Sequence, residues 1–182
     1  MVLYHGSSAG GLSELKPFLS EHGKPYLYFA SNPVVALLYA VKPVPKPFSF
    51  YPYGFDKDGT VVYSEYYENC FADIYKGKRG FLYECGNVGN VNNPTGINCA
   101  YTCENPIKPD RCVEIEDVYV KFSEYSEKGL FRIKPYDSVS EKEMSFVLDD
   151  MRQTIIKYNL KGAPENPMSI FIRNHFPTVW NE

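Results

Sequence analysis

The order of elements along this chain predicts an α+β fold, and three observations carry the prediction. The N-terminal third holds two short apolar runs, Val2-Leu3-Tyr4 and Tyr26-Leu27-Tyr28-Phe29-Ala30, of strand length and strand composition. The middle alternates strand-like runs with turn-rich loops and one amphipathic stretch. The last forty residues carry helix caps and helical spacing. Strands first, a mixed centre and helices last describe segregated rather than alternating elements.

The first strand ends in His5 and the small residues Gly6, Ser7 and Ser8. A loop or short helical turn covers Gly10 to Pro17, and Gly23-Lys24-Pro25 breaks the chain before the second strand. Ser31-Asn32-Pro33 then starts a helix, since a side-chain oxygen caps free amides and proline fits the first helical position. That helix carries Tyr39 and is expected to end by Lys42-Pro43. Pro43 to Gly59 reads as an irregular loop, rich in proline and aromatic residues and too apolar for a solvated linker. Its first part, to Phe55, has the make-up of a flap over a cleft or over the core.

Thr60 to Tyr63 is strand-like, and Glu65 to Lys76 reads as a helix with Gly77 as its C-cap. Phe81 to Cys85 is a strand, Gly86 to Asn98 a turn-rich loop, and Cys99 to Cys103 a strand. Ile115, Val118, Phe122 and Tyr125 fall at helical spacing, and Leu130 to Lys134 returns to a strand. Ser140 with Glu143 forms a capping box for a helix through Met144, Val147, Leu148, Met151 and Ile155. One more short helix is expected between Asn166-Pro167 and Trp180.

A chain of 182 residues suits one good-sized domain and is short for two. With a net charge of -3 and no basic cluster longer than Lys76-Gly77-Lys78-Arg79, it is not built to grip a phosphate backbone. It enters Val2-Leu3-Tyr4 without a basic leader and holds no run of membrane-spanning length, so a soluble, cytoplasmic protein is expected. The five cysteines are an odd count without a CxxC pair, and the histidines are His5, His22 and His175, so no metal site is expected and the thiols read as buried and reduced.

Two pieces of the N-terminal stretch resemble a known family. Tyr4-His5-Gly6-Ser7 looks like the Tyr-His-Gly-(Ser/Thr) strand of ADP-ribosyltransferases of the diphtheria-toxin and poly(ADP-ribose) polymerase type. Tyr28-Phe29-Ala30-Ser31, followed by a helix carrying Tyr39, looks like the second strand, with the two tyrosines eleven residues apart as in the toxin members. The match is close over about forty residues and loose to about Ile115. The resemblance implies a single ADP-ribosyltransferase-like domain over 1–182. Its split mixed-sheet core would span about 1–122, and a helical C-terminal extension about 123–182.

It also implies NAD as a substrate. His5 would hydrogen-bond the adenine-side ribose, and the Gly6 backbone would pair with the nicotinamide amide. Ser7 completes that motif. Ala30 or Ser31 would lie beside the nicotinamide, and Tyr28 and Tyr39 would stack on its ring. Flat aromatic faces suit a flat, partly cationic ring.

The third family element departs from the pattern. Active members open a late strand with a glutamate that steadies the charge developing as nicotinamide leaves. Here the matching strand opens with Asn98, Cys99 and Ala100, and the nearest acid is Glu104, just past it. Glu104 is the candidate catalytic acid. The spacing of Glu114 and Glu116 resembles that of arginine-modifying members, but the pair stands at the mouth of an expected helix.

Three functions follow. One is NAD-dependent transfer of ADP-ribose to a macromolecular acceptor, protein or nucleic acid. A second is a catalytically degenerate domain of the same fold that binds NAD, a related nucleotide or a protein. The third is a cysteine nucleophile, Cys99 or Cys103, with His5 as its base. Acceptor and oligomeric state are not written in the sequence.

Overall fold

The structure is a computed structural model that describes residues 1–19, 23–41 and 52–182. Its elements are mixed α and β, as the order along the chain predicts, and they fall into two compact units. The first unit comprises Met1–Lys42 and Tyr75–Phe131, and the second Pro43–Ile74 and Arg132–Glu182. Each unit is therefore assembled from two separated stretches of chain, an arrangement that spacing along the sequence does not reveal.

The first unit is built on an antiparallel sheet. Its strands are β1 (Leu3–Ser7), β2 (Phe18–Leu19), β3 (Pro25–Ala30), β6 (Gly80–Cys85), β7 (Ala100–Cys103) and β8 (Arg111–Ile115). They run in the order β2-β3-β1-β6-β8, with β7 also on β3. The β1–β6 ladder is long, from Leu3 opposite Cys85 to Ser7 opposite Phe81. Residues directly opposite share a face and neighbours along a strand alternate, so each strand divides into two sets. Leu3, Leu27, Phe29, Tyr83, Cys85 and Cys103 line one face and form a buried cluster with Leu15. Val88 and Val91 of the turn-rich loop pack against that cluster. The loop is tied down where Asn92 exchanges backbone hydrogen bonds with Thr102.

Helix α1 (Pro33–Leu38) covers the other face. Asn32 is its N-cap, with its side-chain oxygen accepting from the amide of Val34 at 2.9 Å, and Pro33 takes the first helical position. Val34 to Leu38 are all buried. The helix ends at Leu38, earlier than Lys42-Pro43, which lie outside the described residues, and Tyr39 is its C-cap.

Two sequence expectations give way here. The helix expected from Ile115 is a strand up to that residue, because Arg111–Ile115 pairs with β6 along its whole length. Helix α3 (Val118–Glu127) begins only after Asp117, whose carboxylate accepts from the amides of Tyr119 and Val120. The helix expected over Glu65 to Lys76 shortens to α2 (Cys70–Tyr75). Asn69 stands at φ 62°, in the left-handed region, and breaks any helix running through it. Glu65 instead accepts from the amide of Phe71 at 3.1 Å, capping the helix from outside.

The second unit holds a three-stranded sheet of β4 (Tyr53–Phe55), β5 (Val61–Ser64) and β9 (Phe131–Lys134). Tyr53–Phe55, expected as the end of an irregular loop, pairs with Val61–Tyr63 instead. Of the flap expected over Pro43–Phe55, residues 43–51 lie outside the described residues and its end is strand β4. Helix α4 (Glu141–Lys157) starts at the capping box of Ser140 and Glu143 and buries Val147, Met151, Thr154 and Ile155. Two helices close the chain where one was expected, α5 (Pro167–His175) and α6 (Pro177–Asn181). Among the described residues no helix is long and apolar enough to cross a membrane.

Candidate functional site

The eight candidate site residues, His5, Gly6, Ser7, Tyr28, Ala30, Ser31, Tyr39 and Glu104, lie in the first unit, and His5, Gly6, Tyr28 and Ala30 stand at one feature of its sheet. Strands β1 and β3 share a single register pair, Tyr4 opposite Ala30. Continued, that register would set Gly6 opposite Tyr28. In place of a ladder bond, the His5 ring donates from Nδ1 to the carbonyl of Tyr28 at 2.8 Å. A carbonyl only accepts, so Nδ1 carries the proton and Nε2 keeps its lone pair. The β3 carbonyl takes its proton from a side chain because the two strands are separating.

Burial lowers the His5 pKa below its usual 6.5, against the smaller opposing pull of the Tyr28 hydrogen bond. The ring is therefore neutral at pH 7, presenting an acceptor rather than a cation. Phe29 meets it edge-on at 6.0 Å and Tyr83 lies 6.3 Å away. His5 thus belongs to the face of the buried cluster, while Tyr28 and Ala30 share the opposite face with Tyr4 and Gly6.

Gly6 is where α1 touches the sheet. A Cβ on it would fall inside the carbonyl oxygen of Ala36 and 2.9 Å from the amide of Ala40. The close approach that glycine permits is thus made to the backbone on either side of Tyr39. Tyr39, 42% exposed, sits at this contact, and Tyr28 sits across the strand gap from Gly6. Gly80 does the same on β6, where a Cβ would lie 2.7 Å from the carbonyl oxygen of Ala40 and 2.9 Å from Val118. Gly80, Ala36 and Ala40 were not singled out by sequence. The usable signal was two alanines four apart, one on the helix and one just past its end, facing glycines on two strands.

Ser7 turns the chain out of β1, its hydroxyl accepting from the amide of Ala9 at 3.1 Å. The Tyr83 hydroxyl holds the following loop, donating to the Ala9 carbonyl at 2.9 Å and accepting from the Leu12 amide at 3.2 Å. Ser31 leaves β3 with its amide bound to the carbonyl of Cys99 at 2.9 Å, so Cys99 and Ala100 flank the Ala30–Ser31 end of the sheet.

Glu104 is not brought there. It follows Cys103, which is opposite Leu27, so the length of β7 separates it from Cys99, about 16 Å of extended chain. Glu114 lies on β8 in an exposed pair with Arg79 at 3.3 Å. The acid in the cross-strand row of Ala30 and Tyr4 is Glu84, paired with Arg111 at 3.7 Å.

The cysteines are arranged against nucleophilic work. Cys99 and Cys103 are buried, and burial raises the Cys99 pKa, away from the thiolate. Among the described residues no three His, Cys, Asp or Glu side chains cluster to hold a metal ion. A groove of about 490 Å³ lies in the second unit against Tyr136, Met144, Leu148 and Arg152, and none of the eight residues lines it. Comparison with family models, with curated proteins and with solved structures finds no match to this chain.

Proposed function

We propose that this chain is an ADP-ribosyltransferase-like protein that binds NAD where β1 and β3 part. The observation that carries the reading is the His5–Tyr28 hydrogen bond. It sets a neutral imidazole with Nε2 as an acceptor for a ribose hydroxyl on one side of the strand gap, with Tyr28, Gly6 and Tyr39 toward the other. Ala30 is the last residue of β3 paired with β1, and Ser7 ends β1 beyond Gly6. The order of strands supports the same reading, because β3 lies between β1 and β7 and is followed directly by the helix that ends at Tyr39.

NAD would enter as a substrate, with its nicotinamide between the tyrosine rings. A macromolecular acceptor, protein or nucleic acid, would take the ADP-ribose. One observation favours a catalytically silent, NAD-binding form over transfer: β7 opens with Cys99 and Ala100, and Glu104 stands at its far end.

The test is calorimetry and thermal shift with NAD, nicotinamide and ADP-ribose. A ligand at about 100 times its Kd adds about 2.7 kcal/mol to folding stability, well within reach of a melting experiment. NAD should raise the melting temperature of the wild type, and His5→Ala should abolish the rise without unfolding the protein. No shift at millimolar NAD would count decisively against the reading. Nicotinamide release from NAD then separates the two forms: turnover supports transfer, and binding without turnover supports the silent form.

A further inference from the structure

We propose that Tyr75 is a positioning residue of the nicotinamide pocket, holding the backbone from which Tyr39 projects. The inference rests on the NAD reading above. Helix α1 has six residues, and the carbonyls of its last turn need partners from outside the regular helical ladder. Two are met by the chain itself: the Tyr39 amide reaches the Ala36 carbonyl at 3.1 Å, and the Ala40 amide reaches the Leu37 carbonyl at 3.0 Å.

The Leu38 carbonyl is met from elsewhere, by the hydroxyl of Tyr75 at 2.9 Å. Tyr75 is fully buried, and its ring packs edge-on against Phe122 at 5.3 Å, so the hydroxyl is aimed from a fixed base. The carbonyl of Leu38 and the Cα of Tyr39 belong to one planar peptide unit. Pinning that carbonyl orients the plane and with it the Cα–Cβ bond that carries the Tyr39 ring. Gly6 and Gly80 set how close this turn comes to the sheet, and Tyr75 sets its rotation.

On the NAD reading, Tyr75 acts on the ligand only through the Tyr39 ring, which stacks on nicotinamide. Tyr75 should therefore govern ligands that carry a nicotinamide ring and be indifferent to those that lack it.

The experiment is calorimetry on wild type and Tyr75→Phe with nicotinamide, NAD and ADP-ribose, well below each protein's melting temperature. Tyr75→Phe removes one oxygen and leaves the ring packing in place. Losing the hydrogen bond should weaken nicotinamide and NAD by about 3- to 10-fold, with ADP-ribose held within about twofold. An equal loss for all three ligands would mean a merely structural role, and no loss for any would mean Tyr39 needs no such pin; either overturns the proposal. In a Tyr39→Leu background, Tyr75→Phe should cause no further loss of nicotinamide, because the ring it orients is gone. A further loss there also overturns it. If the wild type binds none of the three, the NAD reading itself falls, an outcome visible before any variant is made.

Discussion

Replacing Gly6 by alanine puts the contact between α1 and the sheet to the test. The new methyl would lie 2.9 Å from the Ala40 amide and 3.0 Å from the Ala36 carbonyl carbon, with the Ala36 oxygen closer still. These neighbours are backbone atoms of two buried residues, Ala36 and Ala40, so no flexible side chain can swing aside. Relief requires moving α1 off β1, by about 1 Å at least if ordinary contact distances are to be restored. Overpacking costs about 1–3 kcal/mol in general, and a clash with backbone belongs at the top of that range. For a protein of this size about 3 kcal/mol corresponds to a melting temperature lower by about 6–12 °C.

Urea unfolding followed by circular dichroism measures the loss, and Gly89→Ala is the control, since a Cβ there would have nothing within 4 Å. Gly89→Ala should lie within about 0.5 kcal/mol of wild type. A Gly6→Ala protein as stable as wild type would refute the reasoning. So would a Gly89→Ala protein as damaged as Gly6→Ala.

Acid should weaken the fold through its histidines. Burial lowers the pKa of both His5 and His175 below 6.5, so the unfolded chain binds protons that the native state does not. Stability is then complete above pH 6.5 and falls as pH drops below it, by at most about 1.4 kcal/mol per pH unit for each histidine. His5→Gln should flatten that slope between pH 6.5 and 5, and an unchanged slope would contradict the burial argument. Thiol titration should find one fast cysteine in the native protein, Cys112, which is exposed, and five after unfolding. Burial pushes Cys70 and Cys85 up to about 11, so a second fast thiol at pH 7.5 would contradict that burial. Glu104→Ala should leave NAD affinity within about twofold of wild type, as expected of an exposed residue away from the gap. A tenfold loss would place that carboxylate at the ligand after all.

Local chemistry made parts of this fold legible. The Asn32 cap and Pro33 fix the start of α1, and the Ser140–Glu143 box fixes the start of α4, each through hydrogen bonds contained in a few consecutive residues. The strands at Leu3–Ser7 and Pro25–Ala30 were readable from their short apolar and aromatic runs. Where the reading failed, a distant partner decided. Arg111–Ile115 is a strand because β6 lies beside it, and Ile115 only coincidentally continues the helical spacing of Val118 and Phe122. Phe18–Leu19 is a strand because Pro25 and Tyr26 face it. At the candidate site the residue types were visible, but the His5–Tyr28 bond, the seating of Gly6 on Ala36 and the Tyr75–Leu38 contact join residues far apart in sequence. The Leu38 contact had no sequence signal at all.

The ladder between β1 and β6 also sets a timetable for synthesis. Cys85 emerges 82 residues after its partner Leu3. At about 5–20 residues per second, the apolar first strand waits about 4–16 s on the ribosome before that partner exists. Through that interval Leu3-Tyr4 and Leu27-Tyr28-Phe29 lack the strands of their longest ladders, β6 and β7, and stay open to the wrong company. Pro43–Ile74, made in between, waits in turn for Arg132–Glu182 to complete its own unit. Nascent chains stalled before Gly80 should be the species that holdase chaperones retain, and those extended past Ile115 the first to resist protease.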